Sequence, residues 1–476
     1  MKDFTQGSVP KQLFSFAVPL LLGNFLQSAI EFMNMFWVGR LLGHKAIAAV
    51  ATSLPIVFFL ISALIGLSVA TNIIVAQAYG SKNFKFMEKV FSNSFMTNLA
   101  LCVVISFVAF FFSSGLLGLV NCPLEIKPQA NSFFRIIIIG LSFNFIYNWY
   151  SGILRGLGDS KTPLYILILN AIINFISVPI FIRFFGLNGA PIANIGAGII
   201  SGIVGYIYTS KKNPFFKVHS WDFTVEWDII KKIFTLGIPA SLQMVIMSFA
   251  GAVIISLVNK FGLEVTAAYG ICMQVDQMAF LPSLTIGIAI TSMVGQNLSA
   301  GKFDRIKQIF YYGTIMAAIL SLTSFILVYS FPEQIAKVFN KDPKASASVI
   351  KYVVGYIRIT SFGYIGIALM FCIMGVVRGS GDMMAIFILT FISAVMFRIP
   401  LSWILSQKTA LAEKGIWIAI LISIYVTLIL DYIYYKSGRW KKVKLIHLYE
   451  AQEEQSKALY DQRKSPWGEA ETEKPV

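Results

Sequence analysis

Within the apolar run 13–38 stand Asn24, Gln27, Ser28, Glu31 and Asn34. Their spacing places all five on one face of a helix, with Leu, Phe, Met and Trp around the rest. A carboxylate at the centre of a bilayer costs about 3 kcal/mol on insertion scales, so Glu31 must face a wet cavity, find a partner or hold a proton. Glu31 is therefore the leading ion-coupling candidate, with Gln27 and Asn34 one turn away on the same face. The plainer alternative is a permanently protonated Glu31 hydrogen-bonded to span 2 or 5. Asp276, in Gln274-Val275-Asp276-Gln277, is the other acid deep in an apolar run and the second candidate. Arg398 in a later run could neutralise Asp276 as a structural pair, which would remove that acid from ion chemistry. Asp431, close to Lys436, reads as a surface charge.

Two further runs carry polar residues at i, i+4, i+7: Asn144, Asn148 and Ser151, then Asn170, Asn174 and Ser177. In a membrane such faces either glue helices together or line a substrate cavity. Their counterparts in the second half are apolar, Gly251 for Glu31 and about Val395 for Asn174, which places the coupling chemistry in the first half. Met247 and Met273 offer soft, adaptable contacts to varied apolar substrates, with helix packing as the ordinary alternative. Pro19 removes a backbone hydrogen bond beside the polar stripe and can bend or hinge that helix. Cys102, Cys122, Cys272 and Cys372 are scattered at no ligand spacing, and the three histidines lie outside the apolar runs. No metal site or cofactor is expected beyond a coupling ion, H⁺ or Na⁺.

The elements that must hold these residues are membrane helices. Of 476 residues, 57% are hydrophobic and 13% charged, with mean hydropathy +0.72, which excludes a water-soluble protein. Apolar runs near 13–38, 47–79, 91–120, 131–154, 163–185, 188–210, 231–259, 264–298, 308–332, 349–377, 384–405 and 415–436 predict twelve spans. The net charge of +16 sits in clusters after every second span. That is a topology signal: it predicts cytoplasmic termini and a multi-pass protein of the cell (inner) membrane, and excludes nucleic acid as partner.

The chain also repeats itself. Gly152-Ile-Leu-Arg155-Gly156-Leu-Gly158-Asp159 recurs as Gly375-Val-Val-Arg378-Gly379-Ser-Gly381-Asp382, and Pro19 pairs with Pro239 and Gln77 with Gln296 at similar offsets. Six helices per half place the two halves about an axis along the membrane normal, with a cavity between two lobes. The boundaries read as a first lobe 1–210, an interfacial linker 211–230, a second lobe 231–436 and a basic then polar cytoplasmic tail 437–476. The two R-G-x-G-D turns read as architecture, with Arg and Asp free to pair across helix ends.

On Pro19 with Gln27, Val38-Gly39-Arg40, Gln77 before Tyr79-Gly80, both R-G-x-G-D turns, Asn174 with Pro179, and Gly295-Gln296, the chain resembles the multidrug and toxic compound extrusion (MATE) transporters over nearly all of residues 10 to 440. The resemblance implies an all-α polytopic protein with twelve transmembrane helices in two pseudo-symmetric six-helix lobes forming a V. It implies export of mostly cationic, lipophilic compounds in exchange for H⁺ or Na⁺. The spans show no clustered His, Asp or Ser chemistry of the kind a membrane enzyme needs, so no enzyme is expected, and the chain is expected to act as a monomer. Two departures stand out: the family's span 1 acid falls on Asn34, and the span 5 acid of many members falls on Val178. Asp276 matches an acid of span 8, whereas the span 7 Glu of some members falls near Met247 and Ser248. The rival reading is a flippase for lipid-linked oligosaccharides or lipids, which would want a cationic cavity, and Arg398 is its deep arginine.

Overall fold

The computed structural model describes residues 2–120, 122–212, 223–339 and 346–442, and among these it contains helices and turns with no strand. The first half comprises α1 (Val9–Leu42), α2 (His44–Gly80), α3 (Phe84–Phe111), short α4 (Ser113–Leu119), α5 (Lys127–Gly156), α6 (Lys161–Phe185) and α7 (Gly189–Lys212). The second comprises α8 (Trp227–Asn259), α9 (Leu263–Ser299), α10 (Phe303–Ser330), short α11 (Pro332–Phe339), α12 (Ser346–Thr360), α13 (Gly363–Ser380), α14 (Met383–Phe391), α15 (Ile399–Gln407) and α16 (Glu413–Ser437). Every expected span is present. Span 10 is divided between α12 and α13, and span 11 runs from α14 to α15 through a π-helical stretch, Ile392–Arg398. Pro400 follows that stretch: a proline has no N–H to give and crowds the carbonyl four residues back, and a wider turn relieves both problems. Pro19, by contrast, leaves α1 unbroken from Val9 to Leu42.

The duplication is visible in the turns. Gly43 (φ 77°) joins α1 to α2 and Gly262 (φ 97°) joins α8 to α9, while Gly158 (φ 77°) and Gly381 (φ 93°) reverse the chain in the two R-G-x-G-D motifs. These left-handed positions suit glycine alone at low cost. The expected Arg–Asp pairing in those motifs does not occur. Asp159 instead accepts from the Lys161 and Thr162 amides at the start of α6, and Asp382 accepts from the Ala385 amide and the Tyr434 hydroxyl. A carboxylate satisfies the free N–H groups of the next helix where it stands, so neither waits for its arginine.

Within the first half α2 packs on α5, α6 on α7 and α1 on α6; within the second, α9 packs on α13 and α10, and α13 on α16. The halves meet where α2 lies against α8 and α9, and α1 against α9. Their buried cores show how far the contact extends. One core joins Leu67, Ile73 and Ile153 to Ile233, Leu236 and Met374, and another joins Leu13, Phe16 and Leu20 to Ile286 and Ile290. Two others stay within single halves: Val38, Val50 and Phe134 in the first, Ile254, Tyr269 and Trp417 in the second. The lobes are fused near the carboxyl ends of α2 and α9 and part toward the opposite end.

Asp431 is not a surface charge: it is 2% exposed within α16, on the face that also buries Thr427 and Ser423. Residues 213–222, with most of the aromatic linker, and the tail beyond 442 lie outside the described residues.

Candidate functional site

The cleft begins where the last polar bonds cross between lobes. On α1, Asn24 Nδ2 donates to Thr285 Oγ1 of α9 at 2.9 Å. On α8, the Ser241 hydroxyl donates to the Ala63 carbonyl of α2 at 3.0 Å. Seven residues are two helical turns, so Glu31 lies on the azimuth of Asn24 about 10 Å further along α1, and Met278 bears the same relation to Thr285. Both are exposed, Met278 at 65%, as is Phe59, two turns from Gly66, which lies within the seam against Ser241. Glu31, Phe59 and Met278 are thus exposed residues on three helices, each two turns beyond a residue of the seam. Glu31 has one hydrogen bond, from Gln27 Nε2 at 3.3 Å.

Asn34 turns the other way. Its Nδ2 donates to Asn194 Oδ1 on α7 at 3.2 Å, inside the first lobe. There Asn170 Nδ2 meets Ser201 Oγ at 3.2 Å, and Asn174 Nδ2 reaches the Asn170 carbonyl and Oδ1 at 3.1 and 2.7 Å. Asn174 is 1% exposed. Among the described residues no donor reaches the buried Asn34 Oδ1, Asn174 Oδ1 or Ser177 Oγ. The amides therefore bind α1, α6 and α7 together while leaving acceptor oxygens free at the same place. Asn148 and Ser151 sit on α5, Asn148 half-buried and Ser151 buried. The Asn144 side chain lies outside the described residues.

Asp276 occupies the opposite face of α9 from Thr285, nine residues away, and points into the second lobe rather than the cleft. Its Oδ2 accepts from Tyr356 at 2.6 Å and its Oδ1 from Tyr364 at 2.8 Å. Tyr356, Tyr269 and Trp417 wall it in, with Tyr269 stacked on Trp417 at 5.4 Å and Phe280 edge-on to Tyr364 at 5.4 Å. Arg398 does not pair with it: its Nε donates to Ser423 Oγ on α16 at 2.7 Å, and the ion pairs among the described residues all join other side chains. Both carboxylate oxygens already have hydroxyl donors, and the π turn sends the arginine toward α16. Met247 and Met273 are exposed at 43% and 42% on α8 and α9. The tyrosine donors were missed from the sequence, because they sit 80 and 88 residues from Asp276 and no local spacing announces them.

Comparisons with known proteins agree on one family. The family model MatE matches residues 19–180 and 239–404. The "Probable multidrug resistance protein YpnP" of Bacillus subtilis is 34% identical over 448 residues, 93% of this chain and 98% of that protein. The similarly described YoeA of the same organism is 31% identical over 93% of this chain and 96% of its own length. Among solved structures, a mutant of the Vibrio cholerae MATE transporter VcmN superposes with TM-score 0.85 at 18% identity, covering 91% of this chain and 98% of that one. An outward-facing multidrug resistance MATE transporter of the MOP superfamily gives TM-score 0.84 at 22% identity, over 93% and 99%. At such identities these two structures establish the fold alone.

Proposed function

Because this chain belongs to the MATE family of multidrug transporters, we propose that it is a secondary antiporter exporting lipophilic, cationic compounds in exchange for H⁺ or Na⁺. The observation that carries the reading is the position of Glu31, an exposed acid two helical turns beyond the Asn24–Thr285 bond that crosses between the lobes. An organic cation and a coupling ion entering that gap compete for one carboxylate, and competition of this kind prevents leak. Phe59 and Met278 flank it with apolar, deformable surface suited to varied substrates. With the charge clusters facing the cytoplasm, the cleft opens to the outside, and export requires the lobes to rock until it opens inward.

Asp276 supplies a second exchange site. Two tyrosine hydroxyls donate to it, one on each side of the break between α12 and α13. A proton or a metal cation arriving at a free lone pair of the carboxylate neutralises it and weakens both tyrosine hydrogen bonds, and so changes what holds the two half-helices to α9. One proton moving through 100 mV releases about 2.3 kcal/mol, enough to support a gradient of roughly fiftyfold. The flippase reading gains no support: Arg398, its deep arginine, is directed at Ser423 within the second lobe.

The test is efflux of a fluorescent organic cation from proteoliposomes under separately imposed pH and Na⁺ gradients. Wild type should respond to one gradient, and Glu31→Gln and Asp276→Asn should lose the response. Normal gradient-driven export by both variants overturns the assignment.

A further inference from the structure

The glutamines that mark the duplication, Gln77 and Gln296, occupy matching places near the ends of α2 and α9, 2% and 0% exposed. Gln77 Nε2 donates to the Gly379 and Ser380 carbonyls at 3.1 and 3.2 Å. Gln296 Nε2 donates to the Gly156 carbonyl at 2.8 Å. These carbonyls belong to the last turns of α13 and α5, where a helix lacks its own donors. Each lobe thus caps a helix of the other lobe. The backbones approach closely enough to allow it: a Cβ on Gly80 would lie 2.1 Å from the Gln296 carbonyl oxygen, and one on Gly295 would lie 2.9 Å from the Ala76 Cβ.

The amino-terminal segment breaks the symmetry. The Phe4 amide donates to Gln296 Oε1 at 2.9 Å, and the Phe4 ring, fully buried, meets Phe16 edge-on at 4.9 Å. From the second lobe, Asn297 Nδ2 donates to the Phe4 carbonyl at 3.1 Å and Lys302 Nζ to the Thr5 carbonyl at 2.8 Å. Arg305 on α10 donates to the carbonyls of Phe4, Gln6 and Gly7 at 2.9, 3.1 and 2.9 Å. On the first lobe the same segment crosses the R-G-x-G-D turn, where a Cβ on Gly158 would sit 2.4 Å from the Lys2 carbonyl oxygen.

We propose that Gln77, Gln296 and the segment Lys2–Gly7 form the inner gate of the transport cycle: a reciprocal pair of helix caps, locked from one side by a strap that must lift from Arg305 before the lobes part. This rests on the alternating-access reading above. The caps suit a gate because they are neutral amide–carbonyl bonds, each of modest net strength and remade without ion desolvation, whereas a seam of buried ion pairs would be costly to open in every cycle. The strap adds charge-assisted bonds on one side, so its docking sets the balance between closed and open.

The test measures the lobes directly, in the full chain in lipid nanodiscs, without substrate or ion gradient. Spin labels at exposed Lys85 and Gln308 report the inner end, and labels at exposed His44 and Lys260 report the outer end; the four native cysteines are buried. Wild type should give a short inner distance. Gln77→Ala with Gln296→Ala, and separately Arg305→Gln, should each raise the long-distance inner population at least threefold and shorten the outer distance together with it. Should the double glutamine variant fail to fold, Arg305→Gln, on a half-buried residue outside the packed seam, carries the test alone. Unchanged inner distances in a monodisperse variant overturn the gate, as does inner loosening with no outer response, which would mean plain destabilisation. The readout needs no transport, so failed cation export by a protein whose gate behaves as described would sink the proposed substrate and spare the gate.

Discussion

Tyr364 on α13 donates its hydroxyl to Asp276 Oδ1 on α9 at 2.8 Å, while Tyr356 on α12 holds the other oxygen at 2.6 Å. The acid that Arg398 could have neutralised is instead held by two neutral donors on separate half-helices. Its chemistry is therefore tied to how α12 and α13 meet.

Removing either donor leaves an oxygen of the half-buried carboxylate without its partner, a loss of about 1 kcal/mol. Tyr356→Phe and Tyr364→Phe should both lower the melting temperature in detergent and blunt the response of export to the driving gradient. A variant that melts and transports as wild type would show that the tyrosines do not hold Asp276.

Glu31 should behave in the opposite way. It is exposed with a single side-chain partner, so Glu31→Gln should change stability by less than about 0.5 kcal/mol and leave the melting curve in place. Gradient-driven export should nevertheless fall at least tenfold. Loss of stability without loss of coupling would place Glu31 in the packing rather than the mechanism.

Asn174 is too buried to line an open cavity and donates twice to Asn170. Asn174→Ala should cost about 1 kcal/mol in stability while the KM for an exported cation stays within twofold. A large KM shift measured in proteoliposomes would return Asn174 to the substrate site.

Two glycines make a matched pair. Gly80→Ala drives a methyl into the Gln296 backbone and Ser299, an overpacking of about 1–3 kcal/mol that opening the inner end relieves. Gly202→Ala, in the middle of α7 with nothing within 4 Å, should be neutral or stabilising by about 0.5–1 kcal/mol. The inner label pair should lengthen for the first and not for the second.

Lys2 offers a pH readout outside the membrane helices. Burial of the docked strap lowers its pKa from the ordinary 10.5, nearby Lys161 lowers it further and Asp159 opposes, while its Nζ meets Ser15 on α1. A lowered docked value means that docking releases a proton. Docking therefore strengthens as pH rises from the lowered value to 10.5 and is constant below both. The inner label distance should narrow on raising pH through that window, and Lys2→Met should flatten the response.

Much of the architecture was legible in the chain. Hydropathy marked the twelve spans, the repeated R-G-x-G-D turns announced two halves, and the spacing of Asn24, Gln27, Glu31 and Asn34 placed them on adjoining parts of one helix. These are local properties, since a helix of given period displays its face wherever it is packed. Even so, that stripe splits in the folded protein: Asn24 crosses to the second lobe, Glu31 stays exposed with Gln27 as its partner and Asn34 turns inward to Asn194. An arc of a helix surface wide enough to carry five polar residues meets more than one neighbour.

What tertiary structure alone decided was the choice of partner. Asp276 takes two tyrosines and not Arg398, Asp382 takes the amide of Ala385 and Tyr434 and not its motif arginine, and Asp431 is buried despite a lysine five residues on. Gln77 and Gln296, recognisable as a repeated pair, gained a role when each was seen to cap the other lobe across about 300 and 140 residues. Periodicity fixes the direction in which a side chain leaves its helix; which donor waits there depends on helix crossings, a π turn and a seam between lobes, and those are set by packing of segments far apart in the chain.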